Sequence, residues 1–294
     1  MKFRWLALFA VALIAIWYFR PVAEEPREAA PANTPAPIAK TAAATPPTTG
    51  APRAQVPPAA ITQTAESDDP HVVEFTVKDG LAIAFGDVIL GTPDETDIGT
   101  GYYKMPPPQF WDKPEIPYAI DSDLPDPSRV KEALRHIQRA TGVKFVAYDR
   151  QPDAIVFQKG KEHCLSVLGR QGGLQPIRLS AECGWHEITH EVLHALGFIH
   201  EQSRADRDDF VEVVWDNIEK PYRAQFTKLP EDFLGPAQGS SFDYHSIMLY
   251  GPTLFARVKG DLTLKTRTGN AIQPSREGLS PEDIRRIKRH FNLD

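Results

Sequence analysis

The segment from His190 to Glu201 constrains the fold most, because its three histidines cannot all lie on one face of a regular helix. His190 and His194 are four residues apart, and an α-helix turns once in about 3.6 residues, so their side chains share a face. His200 follows six residues after His194, about 240° further around the axis, and would point away. Gly197 lies between them, and glycine readily adopts the left-handed conformation that ends helices. The segment therefore predicts a helix that ends near Gly197 and a chain that turns back.

Three imidazoles at one point are typical of a catalytic zinc site. Three protein ligands leave the fourth position of a tetrahedral zinc open for water, whereas closed structural sites are usually rich in cysteine. Glu191 is rotated by about 100° from His190 on the helix, which suits a proton acceptor rather than a ligand. We expect His190, His194 and His200 to bind one Zn²⁺ and Glu191 to act as a general base in hydrolysis. The alternatives are an amphipathic helix with surface histidines and an inactive protein that keeps the metal.

The residues after the third histidine resemble the zinc signature of the astacin family of metzincin peptidases. Glu201 follows His200 directly, and the run continues as Gln202-Ser203-Arg204-Ala205-Asp206-Arg207-Asp208. Residues 244–251 resemble the Met-turn of the same family. The resemblance implies that Met248 forms a hydrophobic floor under the zinc site and that Tyr250 both touches zinc and stabilises a transition-state oxyanion. It also implies that Glu201 pairs with the ammonium group of a processed N-terminus, and that the chain is a zinc endopeptidase.

The only two cysteines, Cys164 and Cys183, flank a segment just before the zinc helix. An exported chain can oxidise such a pair, so we expect one disulfide. Residues 166–175 resemble the stretch between the paired cysteines of astacins, which ends in the active-site edge strand. The resemblance implies that a protein or peptide substrate adds to this edge in an extended conformation by backbone hydrogen bonds. A second disulfide of that family is missing, because Gly142 and a tail without cysteine stand at its positions.

The N-terminus predicts export. Lys2 and Arg4 precede an apolar run from residue 5 to residue 19, so residues 1–20 indicate a signal peptide or a signal anchor. The run is shorter than the roughly 20 residues of a spanning helix, and membrane anchoring through residues 5–19 is the alternative to cleavage. The basic flank predicts a secreted, periplasmic or membrane-anchored protein whose catalytic domain lies outside the cytoplasm. Residues 21–70 are rich in Pro, Ala and Thr and predict a disordered linker.

Residues 71–104 regain apolar side chains and are expected to form a pro-segment. Gly86-Asp87 resembles the end of an astacin pro-segment motif in which the aspartate occupies the zinc site until proteolysis. A carboxylate oxygen can ligate zinc, so Asp87 is a candidate latency switch. Phe85 directly precedes Gly86, and Ala84 holds the position where the motif has an aromatic residue. A plain Gly-Asp turn is therefore the alternative.

Residues 105–294 are expected to form one catalytic domain, since their number suffices for a core. The patterns predict strands at residues 116–121, 145–148 and 154–158, and helices at residues 127–141, 187–196 and 216–226. A last helix is expected to begin at Ser280, which has a capping hydroxyl, a following proline and Asp283 in the box position. This order implies an α+β fold. The resemblance implies a zincin-like metzincin domain, with a twisted mixed sheet and helices above a less regular C-terminal half and substrate in the cleft between them.

Charge patterning excludes one class of partner and leaves two classes of function. The net charge is −6, and no basic stripe with interleaved aromatic residues suggests nucleic acid binding. The densest cationic run, residues 285–290, is expected to be a solvated helix face, and His186 to be packed or solvated rather than a ligand. The chain is therefore expected to be a zinc endopeptidase acting on extracytoplasmic proteins or peptides. The alternative is a membrane-tethered, zinc-stabilised binding or adhesion protein without turnover.

Overall fold

The part of the chain that can be described begins just before the predicted pro-segment. A computed structural model describes residues 69–96 and 101–293, all of which belong to the unit of residues 35–294. The predicted export segment, residues 1–20, lies outside the described residues, as does all but the last two residues of the predicted linker, residues 21–70. No helix within the described ranges is long and apolar enough to cross a membrane.

Short strands and four α-helices make up the regular structure of the described residues. The strands are β1 (Val72–Glu74), β2 (Thr76–Lys78), β3 (Leu81–Ala84), β4 (Val88–Gly91), β5 (Tyr102–Lys104), β6 (Glu115–Ile120), β7 (Lys144–Ala147), β8 (Asp153–Lys159), β9 (Cys164–Ser166), β10 (Gly173–Leu179), β11 (Val211–Val213) and β12 (Leu264–Thr266). The helices are α1 (Pro93–Thr96), α2 (Ser128–Thr141), α3 (Trp185–Ala195) and α4 (Pro281–Phe291). Short 3₁₀ helices occupy Glu201–Ser203, Arg207–Asp209, Trp215–Asn217, Lys220–Phe226, Glu231–Phe233 and Gly235–Ala237.

A mixed sheet of eight strands runs in the order β2-β3-β4-β9-β10-β8-β6-β7. β10 lies parallel to β8 and antiparallel to β9, and β6 lies parallel to both β8 and β7. The middle of β8, residues 154–157, is buried throughout, as expected for a parallel strand that is covered on both faces. Separate sheet and helix segments in this order confirm the predicted α+β fold.

Residues 166–175 begin at the last residue of β9 and end within β10. β10, which begins at Gly173, has strand partners on both sides and offers no edge. β9 is the outer strand of the catalytic part, and β4 from the predicted pro-segment pairs with it in parallel, with Val88 opposite Ser166. The Ser166 N–H donates to the carbonyl oxygen of Asp87 (3.0 Å). Residues 76–91 therefore extend the sheet that is formed by β6 to β10.

Helices α2 and α3 pack on each other and share the main hydrophobic core with β6, β8 and β10. The predicted apolar face of α2 is buried and consists of Val130, Ala133, Leu134 and Ile137. Gly142 ends α2 in the left-handed region with a φ of 86°, and a Cβ placed on it would lie 3.9 Å from Leu293 Cδ1. A packing contact between the end of α2 and the C-terminal tail therefore stands where the resemblance puts the missing second disulfide.

Helix α4 begins with the predicted capping box and fastens the Met248 region to the core. The Asp283 N–H donates to Ser280 Oγ (2.9 Å), and the Ser280 N–H donates to Asp283 Oδ2 (3.0 Å). Asp283 also accepts hydrogen bonds from Ser246 Oγ (2.7 Å) and from the Ile247 N–H (3.0 Å). Because Asp283 is fully buried, these donors replace the water that its carboxylate loses.

The helix predicted at residues 216–226 is wrong in type. The structure has two separate 3₁₀ helices there, Trp215–Asn217 and Lys220–Phe226. Pro221 lacks an N–H and disfavours a helical conformation in the residue before it, so an α-helix cannot run through this position without a break. The spacing of apolar residues in this segment did not indicate the helix type, because such periodicity does not distinguish an α-helix from a 3₁₀ helix over one or two turns.

The predicted disulfide joins Cys164 in β9 to Cys183, just before α3, with Cα atoms 5.9 Å apart. Among the described residues no cysteine is free. The bridge therefore ties β9 to the start of the helix that carries two of the candidate ligands.

Replacing both cysteines with alanine is expected to lower the free energy of unfolding by about 2–4 kcal/mol, because the bridge closes a loop of 19 residues and restricts the unfolded chain. Urea denaturation of the variant and the wild-type protein measures the difference, with reduced wild-type protein as the control. Equal midpoints and slopes for the variant and the oxidised wild type would contradict the expectation.

Candidate metal centre

Helix α3 presents two histidines on one face and then ends in a turn that contains glycine. The ring centroids of His190 and His194 are 4.7 Å apart. Gly197 has a φ of 100°, in the left-handed region that costs other residues about 1–2 kcal/mol. Its N–H donates to the carbonyl oxygen of His194 (2.8 Å), which satisfies an acceptor at the helix end. The turn brings the ring of His200 to 4.7 Å from that of His194.

Close packing adds a second reason for glycine at this turn. A Cβ on Gly197 would lie 2.4 Å from Cδ1 of Phe110. A Cβ on Gly235 would lie 2.2 Å from Cε1 of the same ring. The Phe110 ring therefore fits against two glycine turns, and it ties the beginning of the expected catalytic domain to the metal-binding turn.

The three histidines and Asp87 have the spacing that one ion requires. One donor atom from each of these four side chains lies within 4.8 Å of the others. The Nε2 atoms of His190 and His200 are 3.2 Å apart. The carboxylate oxygens of Asp87 lie 3.4, 3.3 and 3.3 Å from Nε2 of His190, His194 and His200. Two ligands about 2.0–2.1 Å from a tetrahedral zinc are about 3.3 Å apart, so the donor set fits zinc.

Backbone carbonyl groups orient two of the rings. Nδ1 of His190 lies 2.9 Å from the carbonyl oxygen of Ile247, and Nδ1 of His194 lies 2.8 Å from that of Phe198. A carbonyl oxygen only accepts, so each Nδ1 carries the proton and each Nε2 directs a lone pair to the centre. His194 Nε2 and Asp87 Oδ1 are buried and have no hydrogen-bond partner among the described residues. A cation between them would satisfy both atoms.

The sequence of this domain matches one family. Residues 104–292 match the family model described as Astacin (Peptidase family M12A). The chain belongs to the astacin family. That family is zinc dependent, which agrees with the cluster of three histidines and one aspartate that could hold a metal.

Astacin relatives align over most of the described chain. The zinc metalloproteinase nas-6 of Caenorhabditis elegans is 38% identical over 188 residues, which cover 62% of this chain and 54% of that protein. This chain thus spans about half the length of that relative. The zinc metalloproteinase nas-4 of the same organism is 32% identical over 234 residues, which cover 76% of this chain and 71% of that protein.

A solved structure shows the same fold. High choriolytic enzyme 1, a hatching enzyme zinc-protease from Oryzias latipes, matches with a TM-score of 0.57 and 33% identity. The match covers 62% of this chain and 94% of that structure. The catalytic part of this chain therefore has the astacin fold.

A tight turn between β3 and β4 carries Asp87 to the astacin metal centre. Phe85 and Gly86 both have positive φ angles, of 51° and 89°. The Tyr250 hydroxyl donates to the carbonyl oxygen of Phe85 (2.5 Å), and Lys78 Nζ donates to that of Gly86 (2.9 Å). A Cβ on Gly86 would lie 2.9 Å from the Tyr250 hydroxyl oxygen. The turn can therefore approach Tyr250 this closely because residue 86 is glycine.

Burial and the Asp87 charge set the ionisation of the centre. Burial lowers the pKa of His200 to about 4 and also lowers the pKa of His194, although Asp87 opposes both shifts. Burial lowers the pKa of His190, but the adjacent Asp87 carboxylate raises it more. For Asp87, attraction to the imidazoles outweighs burial and holds its pKa well below the usual range. Burial and the nearby Asp87 charge raise the pKa of Glu191 well above its usual range.

Glu191 combines burial with a missing partner. Its side chain is 2% exposed, and Oε2 has no hydrogen-bond partner among the described residues. It lines a cavity of about 630 Å³ together with Asp87, His190 and Tyr250. An unpaired buried carboxylate is destabilising, and such groups cluster at active sites. His186 lines the same cavity but lies outside the donor cluster, with Nε2 3.2 Å from the carbonyl oxygen of Ser275.

Met248 and Tyr250 lie on one turn, which packs against the histidines. Met248 is 1% exposed and belongs to the main core, and its carbonyl oxygen accepts from the Glu201 N–H (2.9 Å). The ring centroid of Tyr250 is 4.7 Å from that of His200. Asp87 joins the three histidines in the donor cluster. The Tyr250 hydroxyl donates to the backbone carbonyl oxygen of Phe85.

Glu201 has partners that the sequence reasoning missed. Its carboxylate accepts from Arg204 (3.1 Å) and from Arg286 (2.9 and 3.0 Å), where the resemblance implies an N-terminal ammonium group. The expectation that residues 285–290 form a solvated face is wrong for Arg286, which is 1% exposed because it reaches inward to Glu201. One signal was present in the sequence: Arg286 follows Asp283 by three residues and therefore shares its buried helix face.

Gly197→Ala is expected to destabilise the protein by about 1–2 kcal/mol through left-handed strain and by a further ~1–3 kcal/mol through overpacking against Phe110. Gly239→Ala is the matched control, because Gly239 has a φ of 68° and a Cβ placed on it would meet nothing within 4 Å, so that only the strain contributes. Urea denaturation and zinc stoichiometry measure both effects. A Gly197→Ala variant as stable as Gly239→Ala, with full zinc, would contradict a role for the Phe110 contact.

Proposed function

We propose that this chain is a zinc-dependent endopeptidase, made in a latent form, that hydrolyses peptide bonds of extracytoplasmic proteins or peptides. The observation that carries the proposal is the convergence of the His190, His194 and His200 nitrogens, each 3.3–3.4 Å from a carboxylate oxygen of Asp87, beside Glu191, whose Oε2 has no partner among the described residues. The names of the relatives, zinc metalloproteinases and a zinc-protease, support the same activity.

Glu191 is the proposed general base. His190, His194 and His200 would hold the ion in their neutral forms, and bound zinc supplies a Lewis acid that polarises a carbonyl and lowers the pKa of water. Glu191 removes a proton from the attacking water and delivers it to the leaving amine nitrogen. Glu191 Oε2 has no hydrogen-bond partner among the described residues, so this oxygen can take the proton without giving up another contact.

Tyr250 is the proposed oxyanion donor. Its hydroxyl now donates to a backbone carbonyl oxygen, that of Phe85. A substrate offers the same kind of group at its scissile bond, so removal of the pro-segment frees a donor that is already aimed at a carbonyl. A phenol that meets the developing negative charge stabilises the transition state more than the ground state.

Residues 71–104 are the proposed pro-segment, and Asp87 is the proposed latency switch. Asp87 takes the position that the reaction needs for water, while β4 covers the outer side of β9, where an extended substrate would pair. Apolar contacts hold the segment in place, since Phe85 and Val88 share a buried cluster with Leu168 and Ile199. The same segment therefore blocks both the metal site and the edge of β9 where a substrate would pair.

The proposed place of action is outside the cytoplasm, whether the protein is secreted, periplasmic or membrane anchored. The basic residues and apolar run in residues 1–20 support export. The bridge between Cys164 and Cys183 is consistent with an oxidising compartment.

Glu191→Gln in the protein activated by limited proteolysis is expected to reduce casein hydrolysis by about 10²–10⁴-fold, since general-base catalysis is lost while the ligands remain. Zinc content, measured by atomic absorption, is expected to stay at one ion per chain, and a chelator is expected to abolish the wild-type activity. Glu182→Gln, at an exposed position before α3, is the control for the change of charge. Equal turnover by Glu191→Gln would remove Glu191 from the mechanism, and an inert wild type with full zinc would favour the binding or adhesion alternative.

Asp87→Ala is expected to raise the activity of the unprocessed chain by at least about ten-fold, because even ~1.4 kcal/mol of lost attraction at the metal changes the open population by that factor. Asp94→Ala, at an exposed pro-segment position, is expected to leave latency unchanged. Peptide hydrolysis is measured on protein shown by gel electrophoresis to be intact. Full latency in the Asp87→Ala variant would show that strand pairing alone closes the site.

A further inference from the structure

Glu201 is the point where the third histidine, the Met248 turn and the last helix meet. It is bonded directly to His200, and its N–H donates to the carbonyl oxygen of Met248 (2.9 Å). Its side chain is 2% exposed. Glu201 therefore connects the backbone segments on both sides of the metal centre.

The carboxylate of Glu201 accepts four hydrogen bonds from donors of its own chain. Oε1 accepts from Arg204 Nη1 (3.1 Å), the Asp243 N–H (2.7 Å) and Arg286 Nη2 (2.9 Å). Oε2 accepts from Arg286 Nη1 (3.0 Å). A carboxylate has about four acceptor positions, and Glu201 receives four bonds, three on Oε1 and one on Oε2. The two bonds from Arg286 form a planar fork, which fixes orientation as well as charge.

The two arginines have different roles. Arg204 is three residues from Glu201, pairs with Asp206 at 2.9 Å and donates to the carbonyl oxygen of Ser240 (2.8 Å), so it joins the loop after His200 to the segment before the Met248 turn. Arg286 comes from α4, 85 residues further along the chain, and also donates to the carbonyl oxygen of Ser241 (2.5 Å). Arg286 is therefore the group through which the C-terminal helix fixes the orientation of Glu201.

We propose that Arg286 is a positioning residue that holds Glu201, and through it the His200 imidazole and the Met248 turn, in the geometry that binds zinc tightly. The C-terminal helix thereby sets metal affinity and turnover without touching the substrate. The turnover part of this proposal rests on the proposed peptidase function, whereas the metal-affinity part does not. Outer groups that orient ligands in this way typically change metal affinity or activity by about 10–100-fold when they are removed.

The test compares Arg286→Met, Arg286→Lys and Arg285→Met in the full chain. Zinc affinity is measured by competition with a chromophoric chelator, and folding by circular dichroism and thermal unfolding. Lysine keeps the charge but cannot form the fork. We expect Arg286→Lys to fold with a cooperative transition and to bind zinc at least about ten-fold more weakly, with Arg286→Met weaker still. Arg285 is mostly exposed and pairs with Glu282, so Arg285→Met is expected to bind zinc like the wild type.

Turnover provides a second readout in the Asp87→Ala background. A positioning role predicts a lower kcat with little change in KM for Arg286→Lys, since substrate contacts remain while ligand geometry is lost. Two results would overturn the proposal. In the first, Arg286→Lys has wild-type zinc affinity and kcat while Arg286→Met does not fold. In the second, both variants fold and both have wild-type zinc affinity and kcat. If wild-type protein activated by limited proteolysis proves inert with full zinc, the peptidase function fails, while the zinc competition still decides the role of Arg286.

Discussion

One metal ion can bind three imidazoles only if their nitrogens lie about 3.3 Å apart, and the rest of the structure depends on that constraint. A single helix supplies two of the rings at the correct spacing, and no continuation of that helix can supply the third. The left-handed turn at Gly197 solves the geometry, and the absence of a Cβ there leaves room for the Phe110 ring. The carbonyl groups of Ile247 and Phe198 then fix the ring orientations. The backbone turn, the packing around it and the tautomers of the histidines therefore all help to hold the ring nitrogens at this distance.

Buried charge links this centre to the C-terminal half. Glu201, Arg204, Arg286 and Asp283 are all almost fully buried, and each has several hydrogen-bond partners. Breaking one member of such a network costs several kcal/mol, because the partner remains as an uncompensated charge. The less regular half, which has few strands to hold it, is therefore fastened to the helical half by polar contacts with defined directions.

Local features of the site could be predicted from the sequence, and long-range ones could not. The spacing of His190, His194 and Gly197 encodes the helix and its end, since both follow from backbone geometry. The capping box at Ser280 and the apolar face of α2 are local in the same sense. In contrast, the pairing of Arg286 with Glu201 joins residues 85 positions apart, and no periodicity reports such a contact. For Asp87 the sequence offered a resemblance and a plain turn as alternatives, and only the approach of β4 to β9 brings this aspartate to the histidines.

In the proposed latent form, the continuous hydrogen bonding of β2, β3 and β4 with the rest of the eight-stranded sheet would make cutting the chain and opening the cleft separate events. A fragment severed between β4 and β5 would still be held by strand pairing, including that of β1 with β5, and by shared apolar contacts. The fragment would leave by dissociation, so the fraction of active molecules would depend on protein concentration. Departure uncovers unpaired N–H and C=O groups along β9, which any extended peptide can satisfy. The released fragment and the substrate would then compete for one edge until the fragment is degraded or diluted.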